Sequence, residues 1–392
     1  MAETHFSIIA DIFKAVQNST LIIPRFTEAI AELQEIDTLL TAISTTNSRL
    51  SKSDLDKIGS NSFVAASRYG KSAADYLSGV QEALRAGYED AEGIAELSLA
   101  IQSASGMTAE LADQMIAATD KAYNMNGSVA ELTKVLDGMN HISSHNAVCM
   151  AEISEGMSIA GSTAAAFGVD VDQAAAALAT MASTTQQSGS EAADAFRAIL
   201  LNIRQVADEE EGIDAVSLAK YKDACTALNV ALTETKNGVL SLRDPMAVLN
   251  DLAAAYNKLG ETDTRRTDLL SAAGGDKTAV QLDALLSHWD TYEAMLQQYA
   301  DGTGSLALEA ARAADSWEGS LNRLSNTWTD TIGNIADSSA VVTAVNALNS
   351  LLSVVNNITD KLDSPVTAGI GAGLFAGLKN VGGDRRYSPV LF

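Results

Sequence analysis

Apolar residues recur at intervals of three and four along almost the whole chain, the spacing that lines one face of an α-helix. Phe6, Ile9, Ile12, Phe13 and Val16 predict a first amphipathic helix. Phe26, Ile30, Leu33, Ile36, Leu40 and Ile43 predict a second, after Pro24. Helix starts are expected where serine is followed three residues later by an acid, at Ser53/Asp56 and Ser128/Glu131, because each side chain can satisfy a backbone N–H of the other. Asp244-Pro245 reads as a cap followed by proline at the first helical position, where its missing N–H is harmless. Gly70, Gly87, Gly106, Gly127, Gly168, Gly189 and Gly260 punctuate the pattern into segments of mostly about 15–20 residues, ordinary lengths for globular helices. The single strand-like run is Val239–Leu242.

From Ser305 the pattern lengthens. Trp317, Leu321, Leu324, Trp328, Ile332 and Ile335 are spaced by threes and fours; after Ser338-Ser339, the spacing resumes at Val345, Leu348, Leu352, Val355 and Leu362. This predicts two long helices joined at the break. The stripe at Trp317, Leu321, Leu324, Trp328 and Ile332 is the candidate helix-interaction surface, against a neighbour or a second copy. Beyond Pro365, the uncharged run Val366–Leu378 holds Gly369, Gly373 and Gly377 four apart, a spacing that lets helix backbones approach closely. At about 1.5 Å per residue the run spans roughly 20 Å, short of the ~30 Å hydrocarbon core, so it is too short to cross a membrane alone. It is a candidate for membrane contact or helix packing. A basic tail follows at Arg385-Arg386.

These signals predict an all-α fold: a multi-helix antiparallel bundle of short glycine-punctuated helices, with longer coiled-coil-like helices near the C-terminus. The expected divisions are N-terminal amphipathic helices over 1–47, a helical core over 48–206, a helical continuation over 207–304, striped helices over 305–362, and the glycine-rich segment with its tail over 363–392.

Composition agrees. Four prolines in 392 residues leave room for long helices. The apolar fraction is 47% but the aromatic fraction only 5%, so the core must be built from Ala, Leu, Ile, Val and Met. The formal charge of −24 repels phosphate backbones, which sets nucleic-acid binding aside except at a local patch and argues against sequence-specific recognition. Two cysteines, Cys149 and Cys225, cannot form a disulfide framework and fit a reducing compartment. Met1 to His5 contain no basic-then-apolar pattern, so no secretory signal is expected.

Candidate chemistry is sparse. His141, His145 and Cys149 are four apart and would share a helix face, a spacing that can hold zinc. Asn140, Ser143, Ser144 and Asn146 instead favour a loop into a helix start, where the spacing carries no meaning. Asp208–Glu211 lacks the alternation of a calcium loop. Gly371–Ala376 has no preceding strand, and Gly274-Gly275-Asp276-Lys277-Thr278 has the wrong glycine spacing for a phosphate loop and reads as a helix cap. Ser217/Lys220 lacks the partner motifs of serine acyl-enzymes. With four histidines, His5, His141, His145 and His288, acid–base candidates are few. No catalytic residue, metal site or cofactor is expected, and the chain reads as a non-enzyme.

Several blocks taken in order resemble the core of phage tail tape-measure proteins: Leu33–Leu40, Ala65–Gly87, Thr119–Tyr123, Ser158–Gly168, Val169–Ala182, Ser188–Ile203 and Trp317–Ile332. The turn after Gly168 and the Ser-Gly-Ser at 188–190 are the more specific elements. The resemblance covers roughly residues 30–380 and carries no catalytic residue. It implies a helical structural protein in the tail lumen whose length sets tail length, and which helps open a path for the genome at delivery. It also implies assembly in the host cytoplasm with tail-tube and baseplate proteins and tail assembly chaperones, and self-association through helices. The alternative expectation is a membrane-active helical module acting on the host envelope through 366–378.

Overall fold

The computed structural model describes residues 22–205, 215–236 and 239–337. Sixteen helices account for most of them. They are α1 Ile22–Thr46, α2 Lys52–Tyr69, α3 Ala73–Ala86, α4 Ala91–Ser105, α5 Ala109–Tyr123, α6 Val129–His145, α7 Met150–Ala166, α8 Val171–Thr185 and α9 Gly189–Gln205. After α10 Ala215–Ala227 come two short strands, β1 Thr233–Lys236 and β2 Val239–Leu242. The remaining helices are α11 Pro245–Tyr256, α12 Thr264–Ala272, α13 Asp276–Ser287, α14 Trp289–Asp301, α15 Ser305–Ala314 and α16 Trp317–Asp337. The all-α expectation holds. The strands pair antiparallel, with Thr233 opposite Leu242 and Lys236 opposite Val239. The predicted strand is thus the second arm of a hairpin whose first arm, Thr-Glu-Thr-Lys, has no apolar signal of its own.

The chain divides into two compact units. The first takes residues up to Gln81 and from Ala314 onward; the second takes Glu82–Ala313. In the first unit, α1 turns its predicted stripe inward at Ile36 and Ile43, and α2 buries Ile58, Ala65 and Ala66. The start of α2 differs by two residues from the expected one. Ser51, not Ser53, is the cap, with Asp54 accepting from its N–H at 3.0 Å and Ser51 Oγ accepting from Asp54 N at 3.2 Å. Both serines satisfy the spacing rule; the earlier one encloses two more residues in the helix.

The second unit is organised around α8. Ala174–Ala177, Ala179, Thr180 and Met181 are fully buried, and Leu178 and Ala182 nearly so. Alanine lets neighbouring helices approach closely on every side. The same logic extends to α7, where Gly156 lies against Leu178 and Gly161 against Ala122. Ser128 caps α6 through Glu131 N, and Asp244 caps α11 with Pro245 in its first turn, both as predicted. Gly70, Gly87, Gly106, Gly127 and Gly168 all have positive φ, and Gly70 and Gly106 directly cap the ends of α2 and α4 in that left-handed conformation. Gly189 is different: it opens α9 rather than closing α8. The longest described helix is α1, at 25 residues, against 21 for α16, so length is not concentrated toward the C-terminus among the described residues.

Candidate functional site

The predicted interaction stripe lies on α16, and the most deeply buried described positions of this helix lie outside the stripe. Ser316 caps it, accepting from Gly319 N at 3.2 Å. Gly319, Ser320, Asn326 and Thr329 are the buried positions, while Leu321 remains 39% exposed and Leu324 and Trp328 are half-buried. Trp317 and Ile332 belong to the same helix by backbone. The helix therefore buries small and polar residues against α1 and α2.

The reason lies at the corner between α2 and α3, where helix ends leave backbone groups without partners. Asn326 Nδ2 donates to Lys71 O at 2.7 Å and to Ser67 Oγ at 3.3 Å, and its Oδ1 accepts from Ala73 N at 3.2 Å. Asn322 Nδ2 donates to Gly70 O at 2.7 Å. Thr329 Oγ1 donates to Glu32 Oε2 at 2.6 Å. Gly70 has φ +65°, and a Cβ there would sit 2.8 Å from the Cα of Gly319. Backbone meets backbone at this point, and no side chain fits between.

The motifs with chemical potential resolve into structural joints. His141 and His145 lie on the last turns of α6, with ring centroids 4.2 Å apart, so that stretch is helical rather than the loop expected. Cys149 precedes α7, its N–H donating to Glu152 Oε2 at 2.7 Å. Burial, the largest influence, pushes its thiol above the usual range. Cys225 is buried, and its thiol is pushed up to about 12 by burial. Among the described residues, no three His, Cys, Asp or Glu side chains converge as a metal would need. Gly275 caps α13 as predicted. Asp208–Glu211 and the glycines Gly369, Gly373 and Gly377 lie outside the described residues.

One constellation was not visible in the sequence. Tyr256 donates to Asp283 Oδ1 at 2.5 Å, and Ser287 Oγ donates to the same oxygen at 3.1 Å. Arg266 donates to Ser287 Oγ at 3.3 Å and lies 4.1 Å above the Tyr256 ring. Burial first, and then the bond to Asp283, raise the phenol to about 12. The group ties α11, α12 and α13 together.

A cleft of about 450 Å³ opens where α5 and α7 end, lined by residues that include Lys121, Tyr123, Ser162, Ala166 and Asp170. Burial and the charges of Asp170 and Asp172 raise the Tyr123 phenol. The lining holds no nucleophile paired with a base.

The Ser-Gly-Ser motif has a packing explanation. Ser188 Oγ accepts from Glu191 N at 3.2 Å, and Ser190 N donates to Glu155 Oε2 at 3.1 Å. A Cβ on Gly189 would lie 1.9 Å from the carbonyl oxygen of Glu152, so glycine alone lets the start of α9 rest on α7. A second joint forms where Asp137 of α6, 5% exposed, accepts from Gly304 N at 2.8 Å and Leu306 N at 2.9 Å at the start of α15. Asn140 donates to Ser305 Oγ at 2.7 Å beside it.

Over residues 64–275, more than half of the chain, the sequence matches the family model described as phage-related minor tail protein. No solved structure matches it.

Proposed function

The chain belongs to the phage-related minor tail protein family, and from that premise we propose that it acts as a tape-measure protein, a structural element that sets tail length. Its broad role is a structural one in the phage tail; the narrower role is our reading. The observation that supports it is where the matched residues spend their chemistry. Ser188, Gly189 and Ser190 seat one helix on another, Gly168 reverses the chain between α7 and α8, and Asp137 caps a distant helix. These are devices for assembling helices, and none presents a reactive group.

On this reading the protein is non-catalytic. It is assembled in the host cytoplasm and resides in the tail lumen. It contacts tail-tube and baseplate proteins and tail assembly chaperones, self-associates through helices, and contributes to genome delivery. An unbroken helix of 392 residues would reach only about 590 Å. The longest described helix has 25 residues, about 38 Å. The test is an in-frame deletion of a helical segment from the full gene, followed by electron microscopy of the tails. Shortened tails are expected; tails of unchanged length would refute the ruler role.

A second reading, a membrane-active module, draws on the uncharged run 366–378 with its three glycines. No described helix is long and apolar enough to cross a membrane. The run lies outside the described residues, so the reading stands on sequence alone. Liposome leakage should fall when Gly369, Gly373 and Gly377 are all replaced by leucine. Leakage unaffected by the triple change would reject it.

A further inference from the structure

In a loop the spacing of His141 and His145 would carry no meaning. The stretch is instead the end of α6, Val129–His145, and helical residues four apart lie one above the other on the same face. The two imidazoles meet there, with ring centroids 4.2 Å apart and planes tilted by 40°. His145 is exposed and His141 half-buried, so solutes reach the pair.

The hydrogen bonds fix which nitrogen of His145 is free. Its Nδ1 lies 2.8 Å from the carbonyl oxygen of His141. A carbonyl oxygen can only accept, so Nδ1 carries the proton and Nε2 keeps its lone pair. Ser144 Oγ, 3.2 Å from the same Nδ1, donates its own proton to His141 O at 3.1 Å and so leaves that assignment unchanged. A ring held through Nδ1–H by a backbone carbonyl, with Nε2 bare, is the arrangement that metal-binding histidines use.

We propose that His141 and His145 form a two-imidazole chelate for a late first-row divalent cation: zinc, copper or nickel. Two nitrogens bound to a tetrahedral zinc at about 2.0–2.1 Å stand about 3.3 Å apart. Rings with centroids 4.2 Å apart reach that bite by small side-chain rotations. Imidazole nitrogen suits these ions, whereas magnesium and calcium take oxygen ligands. Among the described residues, no third His, Cys, Asp or Glu converges on the pair. Water fills the remaining positions when the ion is bound, and the ion exchanges with solvent rather than stapling the fold. The residue after the first histidine, Glu in the helices of zinc proteases, is Ile142 here, so no general base accompanies the metal. The competing account is that the rings only occupy the last turns of α6, where cationic groups favour the negative end of the helix dipole. That role needs neither contact between the rings nor a free ring nitrogen. The inference goes beyond the ruler reading and stands independently of it.

Titration calorimetry of the full chain with Ni²⁺ at about pH 7.5, above the ordinary imidazole range, tests it. The 50 acidic residues and the other histidines set a background, and the double variant His141→Gln with His145→Gln keeps all of them. Removing a ligand costs at least the about 10–100-fold lost with a ligand's hydrogen-bond partner. Wild type should therefore take up one Ni²⁺ per chain at least about tenfold more tightly than the double variant, and each single variant should lose most of that difference. Mg²⁺ should bind wild type and the double variant alike. Cys149→Ser should leave the Ni²⁺ affinity unchanged. In that Cys149→Ser background, bound Cu²⁺ should show coupling to two imidazole nitrogens by electron paramagnetic resonance, lost when both histidines are replaced. Circular dichroism checks that every variant keeps the wild-type helicity. Equal Ni²⁺ affinity in wild type and the double variant would overturn the proposal, as would a Cu²⁺ spectrum without two-nitrogen coupling. A tenfold loss from Cys149→Ser would also overturn it, in favour of a three-ligand site.

Discussion

Replacing Asp137 by alanine removes one carboxylate whose two oxygens each hold a backbone N–H of another helix start. Gly304 N reaches Oδ2 and Leu306 N reaches Oδ1, at 2.8 and 2.9 Å. Hydrogen bonds to a charged group contribute about 1.5–3 kcal/mol each, so the gross loss is about 3–6 kcal/mol. Some is returned, because the carboxylate is itself 5% exposed and its burial is costly. A net destabilisation of about 2–4 kcal/mol is expected. Asparagine should rescue little. It offers one acceptor oxygen, and its NH₂ would face the second N–H, donor against donor. Urea denaturation of the Ala and Asn variants, with hydrogen exchange read at Gly304 and Leu306, separates the contributions. Both variants should lose stability, and exchange protection should fall at these two amides first. Variants within about 0.5 kcal/mol of wild type with both amides still protected would show that the clamp is incidental.

Three further outcomes follow from the packing. Gly189→Ala places a Cβ 1.9 Å from the Glu152 carbonyl oxygen and should cost about 3 kcal/mol or more in urea denaturation; a loss under about 1 kcal/mol would mean α9 can shift freely. Asn326→Leu deprives Lys71 O and Ala73 N of their partner, a latch of α16 on the α2–α3 corner, and should cost about 2–4 kcal/mol, read from thermal unfolding; an unchanged midpoint would contradict that role. Burial, chiefly, raises the carboxyl of Asp113, so its contribution to stability is fully present below the unfolded value, 3.8, and is lost as pH rises through the folded one. Asp113→Asn should therefore be more stable than wild type at pH 7, with the gap closing as pH falls through the raised folded value toward 3.8; a variant no more stable at pH 7 would refute this.

Local signals were legible where a helix end is decided by its neighbours. Ser128 and Asp244 could be read as caps because the groups they satisfy lie within three residues. The Ser51/Asp54 start competed with an equivalent pattern two residues on, and spacing alone does not choose between them. Long-range demands were invisible. Nothing near Asn326 in sequence shows that Lys71 O and Ala73 N need a partner, so the polar contacts of this helix could not be read from its apolar spacing. The same holds for Asp283, whose meaning depends on Tyr256 and Arg266 from two other helices.

The latch also fixes an order of events during synthesis. Gly70, Lys71 and Ala73 leave the ribosome about 250 residues ahead of Asn322 and Asn326. At ~5–20 residues per second that is a wait of roughly 12–50 s. Throughout it the whole of Glu82–Ala313 is emerging, with every residue its own unit requires. The nested unit can finish folding while the enclosing one still lacks its closing helix. A ribosome that stalls or a gene that stops just after Ala313 would yield an intact middle joined to an N-terminal corner with dangling backbone groups.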